Sequence, residues 1–185
     1  MAQRFPKLTT EEMTPAQREV AAEITAGPRG EVRGPFIAWI HHPELARRLQ
    51  ALGEQLRWKS TLPPQLIELA VLTCARRWTC QHEWFAHEKL ARQAGLPVSL
   101  IEAIRDRKEP ADMSAEQAAV YAFCRAAHAN EMNDVVFDSV KNLFGREGAI
   151  ELLVLSGYYS MMAMVLNTAG MPLPDNAQPP LKPLR

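Results

Sequence analysis

Apolar side chains recur every three to four positions along almost the whole of this 185-residue chain. This spacing constrains the fold more than any other feature, because it gives each helix one apolar stripe, whereas a half-buried strand needs strict alternation. No alternating run of useful length occurs. The sequence therefore predicts an all-α bundle.

Proline, glycine and capping residues divide the pattern into helices. Thr14 and Ser114 are predicted to cap two of them, and Gly145 is predicted to end another. Residues 65–94 can be one helix or two, because Thr79 could cap a second helix there. The predicted helices cover about residues 15–26, 43–56, 65–78, 80–94, 98–107, 115–129, 135–144 and 147–169.

The length fits a single domain, residues 1–185, with a core of about 10–174. The proline-rich tail, 172–185, is expected to lie extended on a neighbouring surface. The hexapeptides Glu68–Thr73 and Glu151–Ser156 match in character at every position. They predict a duplicated helical hairpin in which the first copy retains the chemistry.

Charge and composition limit the class of partner. The chain has 21 basic and 21 acidic side chains, a net charge of zero and no dense Lys/Arg run, which argues against nucleic acid and anionic membranes. The expected partner is a small molecule. Residues 152–174 carry no charge and are long enough to span a bilayer, but glycine and polar residues interrupt them, so a buried central helix is favoured. Three cysteines and no N-terminal apolar segment predict a cytoplasmic protein with reduced thiols.

The densest group of reactive side chains lies in residues 80–88. On a helix, one face carries Cys80, Glu83, Trp84 and His87. A bend near Thr79 would bring Glu68 back against that face. Such a group suits proton transfer, with His87 as general acid or base, Glu83 as its partner and Glu68 as an orienting residue.

Other interpretations of this group stay open. Glu83 and His87 could form an i,i+4 pair on the helix surface, with Cys80 simply buried. A zinc site needs three or four ligands, and no spacing in the chain demands one. No phosphate-binding loop or dinucleotide motif occurs. The sequence predicts no metal and no cofactor.

Three short motifs of the chain resemble those of a known family. They are Glu68-Leu-Ala-Val-Leu, Cys80-x-x-Glu83-Trp84-x-x-His87 and Ala91-Arg92-x-Ala94-Gly95-Leu96. The family is the carboxymuconolactone decarboxylase family, and the resemblance extends over about residues 10–174. It implies an alkylhydroperoxidase-D-like helical bundle and a homo-oligomer.

The resemblance implies two different chemistries. The peroxidase branch of the family uses a glutamate, a Cys-x-x-Cys pair and a histidine; Glu68, Cys80 and His87 match, but Glu83 stands in place of the second cysteine. The decarboxylase branch uses no cofactor and relies on acid–base groups near a histidine. Its substrate is a small carboxylated lactone, whose carboxylate needs a cation.

We therefore predict a cofactor-free lyase that acts on a small carboxylated or lactone metabolite through Glu83 and His87. The alternatives are a thiol-dependent peroxidase acting through Cys80 and a non-catalytic ligand-binding homologue. The predicted substrate-binding residues are Trp84, Arg33 and Tyr158, with Arg29, Arg76 and Arg77 as further candidate cations.

Overall fold

The computed structural model describes residues 3–174 and 177–183, and these ranges contain helices and no strand. The all-α prediction is confirmed. In chain order the helices are α1 (Pro15–Ala26), α2 (Phe36–Trp39), α3 (Pro43–Trp58), α4 (Pro64–Arg77), α5 (Gln81–Gln93), α6 (Val98–Asp106), α7 (Ala115–Ala129) and α8 (Asp134–Ala169).

Local sequence signals set most of the helix boundaries. Thr14 caps α1 and Ser114 caps α7, each with a capping box in which a glutamine three residues later bonds back to the cap. Gly145 interrupts α8 with a φ of +70°, where the sequence predicts a helix end. The short helix α2 is not predicted, because four residues are too few to show a period.

Residues 64–93 form two helices rather than one. α4 ends at Arg77, and Thr79 takes a left-handed φ of +47°. The backbone N–H of Cys80 donates to the carbonyl of Ala75 at 2.8 Å, which closes the end of α4. The prediction that Thr79 caps the second helix is wrong: Thr79 belongs to the turn that ends α4, and Cys80 holds the N-cap position of α5.

The chain divides into two compact units. The first comprises residues 3–59 and 164–172 and contains α1, α2 and α3. The second comprises residues 60–163 and the described part of 173–183, and contains α4 to α7. α4 is its central helix: residues 66–76 are all buried, and α4 packs against α5, α6 and α7.

The described part of the tail lies on the second unit. Gln81 donates from its side chain to the carbonyl of Leu181 and accepts from the backbone N–H of Leu181, both at 2.8 Å. Leu181 is 2% exposed. The expectation that the tail is extended on a neighbouring surface agrees with these contacts; residues 175–176 and 184–185 lie outside the described ranges.

α8 contains a long apolar segment. By length and composition it is long enough to cross a membrane, with a mean hydropathy of 1.6 over its most apolar window. Half of that window is buried inside the protein, as expected for a core helix. The prediction of a buried helix here agrees with this burial, and cytoplasmic localisation stays a prediction.

Candidate active site

His87 lies between two carboxylates in the interior of the second unit. Its Nδ1 is 2.6 Å from Oε2 of Glu68, and its Nε2 is 3.4 Å from Oε2 of Glu83. Glu68 is 8% exposed, and Glu83 and His87 are each 4% exposed. We call these three residues the Glu–His–Glu cluster. The alternative of a surface pair between Glu83 and His87 is wrong, because both side chains are buried.

The turn between α4 and α5 assembles this cluster. Glu83 and His87 share a face of α5 at i,i+4 spacing, and the left-handed Thr79 lets α5 fold back along α4. Glu68, near the start of α4, then meets the imidazole. The sequence-based prediction that a bend near Thr79 joins Glu68 to the group is confirmed by this contact.

The two sides of the imidazole ring differ in how closely a carboxylate approaches. Nδ1 and the carboxylate of Glu68 share a proton, because two lone pairs at 2.6 Å would repel. Nε2 faces Oε2 of Glu83 at 3.4 Å without forming a hydrogen bond. A proton on Nε2 or on Oε2 is therefore held less firmly than the proton at Nδ1.

Glu83 is the incompletely satisfied member. The 3.4 Å gap to Nε2 is longer than a good hydrogen bond, and Oε2 has no hydrogen-bond partner among the described residues. A buried acceptor without a partner costs about 1–3 kcal/mol, more when charged. Native proteins keep few such atoms, and a catalytic role is one reason for keeping one.

Aromatic side chains surround the imidazole. The ring of Tyr159 packs edge-on against His87, with 5.1 Å between ring centroids, and Tyr158 packs in the same manner against Tyr159 at 5.6 Å. Trp84 is fully buried, and its indole N–H donates to Glu88 at 2.8 Å. The sequence analysis did not select Tyr159 as a site residue. Its position next to Tyr158 on a predicted core helix was the feature that could have indicated it.

Arg33 belongs to the first unit and lies at the surface. Its guanidinium pairs with the carboxylate of Glu31 at 3.3 Å, and both side chains are more than half exposed. Substrate binding by Arg33, Trp84 and Tyr158 stays a prediction.

The thiol of Cys80 is held in its neutral form. The residue is 0% exposed; burial raises the pKa of the Cys80 thiol to about 12, and the charge of Glu83 adds to that increase. The N–H groups of His82 and Glu83 oppose it without making a cap hydrogen bond. Burial also raises the pKa values of Cys74 and Cys124 to about 12. Reactive cysteines have the opposite environment.

The described residues hold no group of three or more His, Cys, Asp or Glu side chains arranged to bind a metal ion. The cluster's own geometry explains this in part. One oxygen of each carboxylate faces the imidazole ring, so the nitrogens point at carboxylates rather than converging with them on a common centre.

Comparison with known proteins finds a family that the chain resembles. Residues 43–129 match the carboxymuconolactone decarboxylase family, and this segment includes the Glu–His–Glu cluster and Cys80. The resemblance stated from the motifs is therefore confirmed.

A solved structure shows the same fold. The chain is similar to an uncharacterized peroxidase-related protein from Ralstonia eutropha JMP134 that has an alkylhydroperoxidase AhpD core, with a TM-score of 0.75 and 19% identity. The match covers 93% of this chain and 92% of that one. The alkylhydroperoxidase-D-like bundle is thus confirmed. No curated protein sequence matches the chain significantly.

Proposed function

We propose that this chain is a cofactor-free lyase that removes CO₂ from a small carboxylated lactone by proton transfer at His87 and Glu83. One observation carries the proposal: a buried imidazole nitrogen faces a buried carboxylate oxygen that has no hydrogen-bond partner among the described residues. A proton held there has a second basic atom within reach and few competing partners. This is the arrangement that general acid–base catalysis needs.

The proposed reaction is a simple exchange of CO₂ for a proton. The C–C bond to the substrate carboxylate breaks, its electron pair delocalises into the lactone carbonyl, and CO₂ leaves. A proton held at Nε2 or Oε2 then forms a C–H bond with the resulting enolate, at the carbon that lost CO₂ or at the conjugated carbon next to the lactone carbonyl. Solvent returns a proton to the cluster and closes the cycle.

Glu68 has a positioning role in this proposal. Its 2.6 Å contact fixes a proton on Nδ1 and the orientation of the ring, as a buried carboxylate does for the histidine of a hydrolase triad. Nε2 is then left as the nitrogen that exchanges its proton. The edge-on Tyr159 ring packs against the same imidazole and limits its rotation.

The peroxidase alternative has less support from the geometry. A peroxidatic cysteine acts as a thiolate and must be reached by peroxide. Cys80 is 0% exposed, and its pKa is raised to about 12. Glu83 supplies a negative charge beside the sulfur where the peroxidase pattern has a second thiol.

The test uses 4-carboxymuconolactone and related carboxylated lactones in D₂O. We expect CO₂ release and one solvent deuterium bound to carbon in the lactone ring of the product. His87→Gln should abolish both, whereas His82→Gln, on the same helix, should not. A folded wild-type protein that releases no CO₂ from these compounds would overturn the lyase proposal. Cys80-dependent reduction of an organic peroxide by the same protein would favour the peroxidase alternative.

A further inference from the structure

A concave site apart from the Glu–His–Glu cluster lies in the second unit, lined by α4, α6, α7 and the residues just after α6. Its volume is about 330 Å³. Glu68, Glu83 and His87 do not line it. We call it the cationic pocket, because the charged side chains that line it, among the described residues, are one acid, Glu109, and the five cations Arg76, Arg77, Arg107, Lys108 and Arg125.

The C-terminal ends of the surrounding helices offset only part of this positive charge. α4 ends at Arg77, α6 at Asp106 and α7 at Ala129, so three C-terminal ends border the pocket. Each contributes roughly half a negative charge, effective within its last turn. Glu109 offsets one further positive charge through its 2.9 Å ion pair with Arg125. Asp106 pairs with Arg105 and also attracts Arg76 and Lys108. The cations that line the pocket still outnumber the negative charges around it among the described residues.

Arg76 is the buried member of this group. It is 7% exposed, and Nη1 and Nη2 donate to Thr79 Oγ1 at 3.1 Å and to the carbonyl of Lys182 at 3.3 Å. Its Nε has no hydrogen-bond partner, and no carboxylate lies within ion-pair distance, among the described residues. Burial and the nearby charge of Arg107 lower the pKa of Arg76. A buried arginine normally has a counterion.

His128 adds a second buried atom without a hydrogen-bond partner. Its Nε2 has none in the part of the chain that the structure describes, and His128 also lines the pocket. The ring of Tyr121 forms an apolar wall, with the guanidinium of Arg125 at 5.4 Å from its centroid. The pocket therefore combines a buried guanidinium, an imidazole and an aromatic surface around unneutralised positive charge.

We propose that the cationic pocket binds a small oxyanion with two or more negative charges, either a polycarboxylate or a phosphorylated metabolite. Carboxylate and phosphate oxygens match the planar fork of a guanidinium. The volume is at the lower end of the range for small-molecule sites, and the whole chain has zero net charge. These two facts favour a metabolite over a nucleic acid. The proposal does not depend on the lyase activity.

The experiment titrates the full chain with pyrophosphate and, separately, with tricarballylate, by calorimetry. Sodium chloride of equal ionic strength is the blank, because unspecific screening affects exposed charges equally. We expect saturable binding of at least one probe, and the tighter probe shows whether phosphate or carboxylate chemistry is preferred. His87→Gln should not change the affinity.

Three variants make the test specific. Arg107→Gln removes an exposed cation of the pocket and should weaken binding about tenfold or more. Glu109→Gln removes the acid of the lining and should tighten binding, by up to about fivefold. Arg48→Gln removes an exposed arginine of α3, outside the pocket, and should change affinity less than about twofold.

Three results would overturn the proposal. The first is the absence of any saturable binding beyond the sodium chloride blank in folded protein. The second is an equal effect of Arg107→Gln and Arg48→Gln on the affinity. The third is a single-stranded oligonucleotide that displaces both probes and binds more tightly than either, since the positive charge would then bind a polymer.

Discussion

The two similar hexapeptides of this chain use the same acidic residue in different ways. Glu68 on α4 is buried and contacts the imidazole of His87. Glu151 on α8 accepts three hydrogen bonds, from Oγ of Ser60 at 3.0 Å, from the backbone N–H of Thr61 at 2.9 Å and from Oγ1 of Thr61 at 2.8 Å. The carboxylate of Glu68 contacts an imidazole, and the carboxylate of Glu151 binds a loop.

The difference arises from the course of the chain after each hexapeptide. Beyond the first, α4 ends and the left-handed Thr79 lets α5 return with His87. Beyond the second, α8 continues to Ala169, so no returning helix brings an imidazole to Glu151. The break in the chain, rather than the hexapeptide, assembles the Glu–His–Glu cluster.

The two copies remain in contact through polar and sulfur atoms. Sγ of Cys74 on α4 lies 3.8 Å from the carbonyl oxygen of Ser156 and 3.5 Å from Oγ of Ser160, both on α8. Oγ of Ser156 donates to Sγ of Cys124 on α7 at 3.6 Å. The second copy therefore supports the helix that carries Glu68.

The largest expected effect is a loss of turnover in variants of the first copy that variants of the second copy do not show. If the transferred proton lies between His87 and Glu83, His87→Ala and Glu83→Gln should each lower turnover by about 10²-fold or more. Glu151→Gln is the matched control and should leave turnover per folded molecule unchanged. Turnover of 4-carboxymuconolactone measures all three. Near-normal turnover in both His87→Ala and Glu83→Gln would contradict the acid–base mechanism.

A smaller loss is expected when the orienting carboxylate is neutralised. Glu68→Gln keeps the shape of the side chain but removes the charge that fixes the proton on Nδ1. We expect turnover to fall about 10- to 100-fold, as when other outer partners of a functional histidine are lost. The pH dependence of kcat/KM should also change, which loss of packing alone would not produce. An unaltered pH profile would contradict the positioning role.

Glu151, the glutamate of the second hexapeptide, should affect the stability of the fold rather than the activity. Glu151→Ala leaves the Thr61 N–H and two hydroxyls without their acceptor, at a cost of about 1–2 kcal/mol. Chemical denaturation measures this loss, and Glu147→Ala, an exposed glutamate of the same helix, is the control. Equal stability of the two variants would show that Glu151 does not fasten the loop at Ser60 and Thr61.

The smallest effect on activity is expected at Cys80. Cys80→Ser should retain most of the turnover, because the thiol stays protonated at neutral pH and takes no part in the proton transfer. In the native protein it should react slowly with a disulfide reagent at pH 8, and quickly once the chain is unfolded. Fast sulfenic acid formation with peroxide at pH 7 would contradict this.

The raised thiol pKa also predicts an alkaline loss of stability. The folded state holds the protons of Cys74, Cys80 and Cys124 up to a pKa of about 12, whereas unfolded thiols ionise near pH ~8.5. Their contribution is therefore complete below pH ~8.5 and decreases as pH rises toward 12. Denaturation midpoints measured between these limits should fall with pH. Cys80→Ser should reduce the slope, and an unchanged slope would contradict burial as the cause.

The sequence predicted those features that depend on local signals. Capping residues and prolines located α1, α3 and α7, and the i,i+4 spacing placed Glu83 beside His87. The contact with Glu68 was predicted once a bend near Thr79 was assumed. The sequence did not reveal the role of Tyr159, because side chains of α8 reach His87 only through packing between helices that are distant in the chain. The cationic pocket was missed for the same reason, since its arginines come from three separate parts of the chain.

The central claim is that Glu68 fixes the proton on Nδ1 of His87 so that Nε2 faces Glu83. Nitrogen-15 NMR of histidine-labelled protein tests it without a substrate, with the His87 signals assigned from His87→Gln. We expect Nδ1 of His87 to carry a proton throughout the neutral pH range, with a resonance that Glu68→Gln shifts strongly and Glu151→Gln leaves in place. An Nδ1 atom of His87 that carries no proton, or His87 resonances that do not shift in Glu68→Gln, would contradict this role of Glu68.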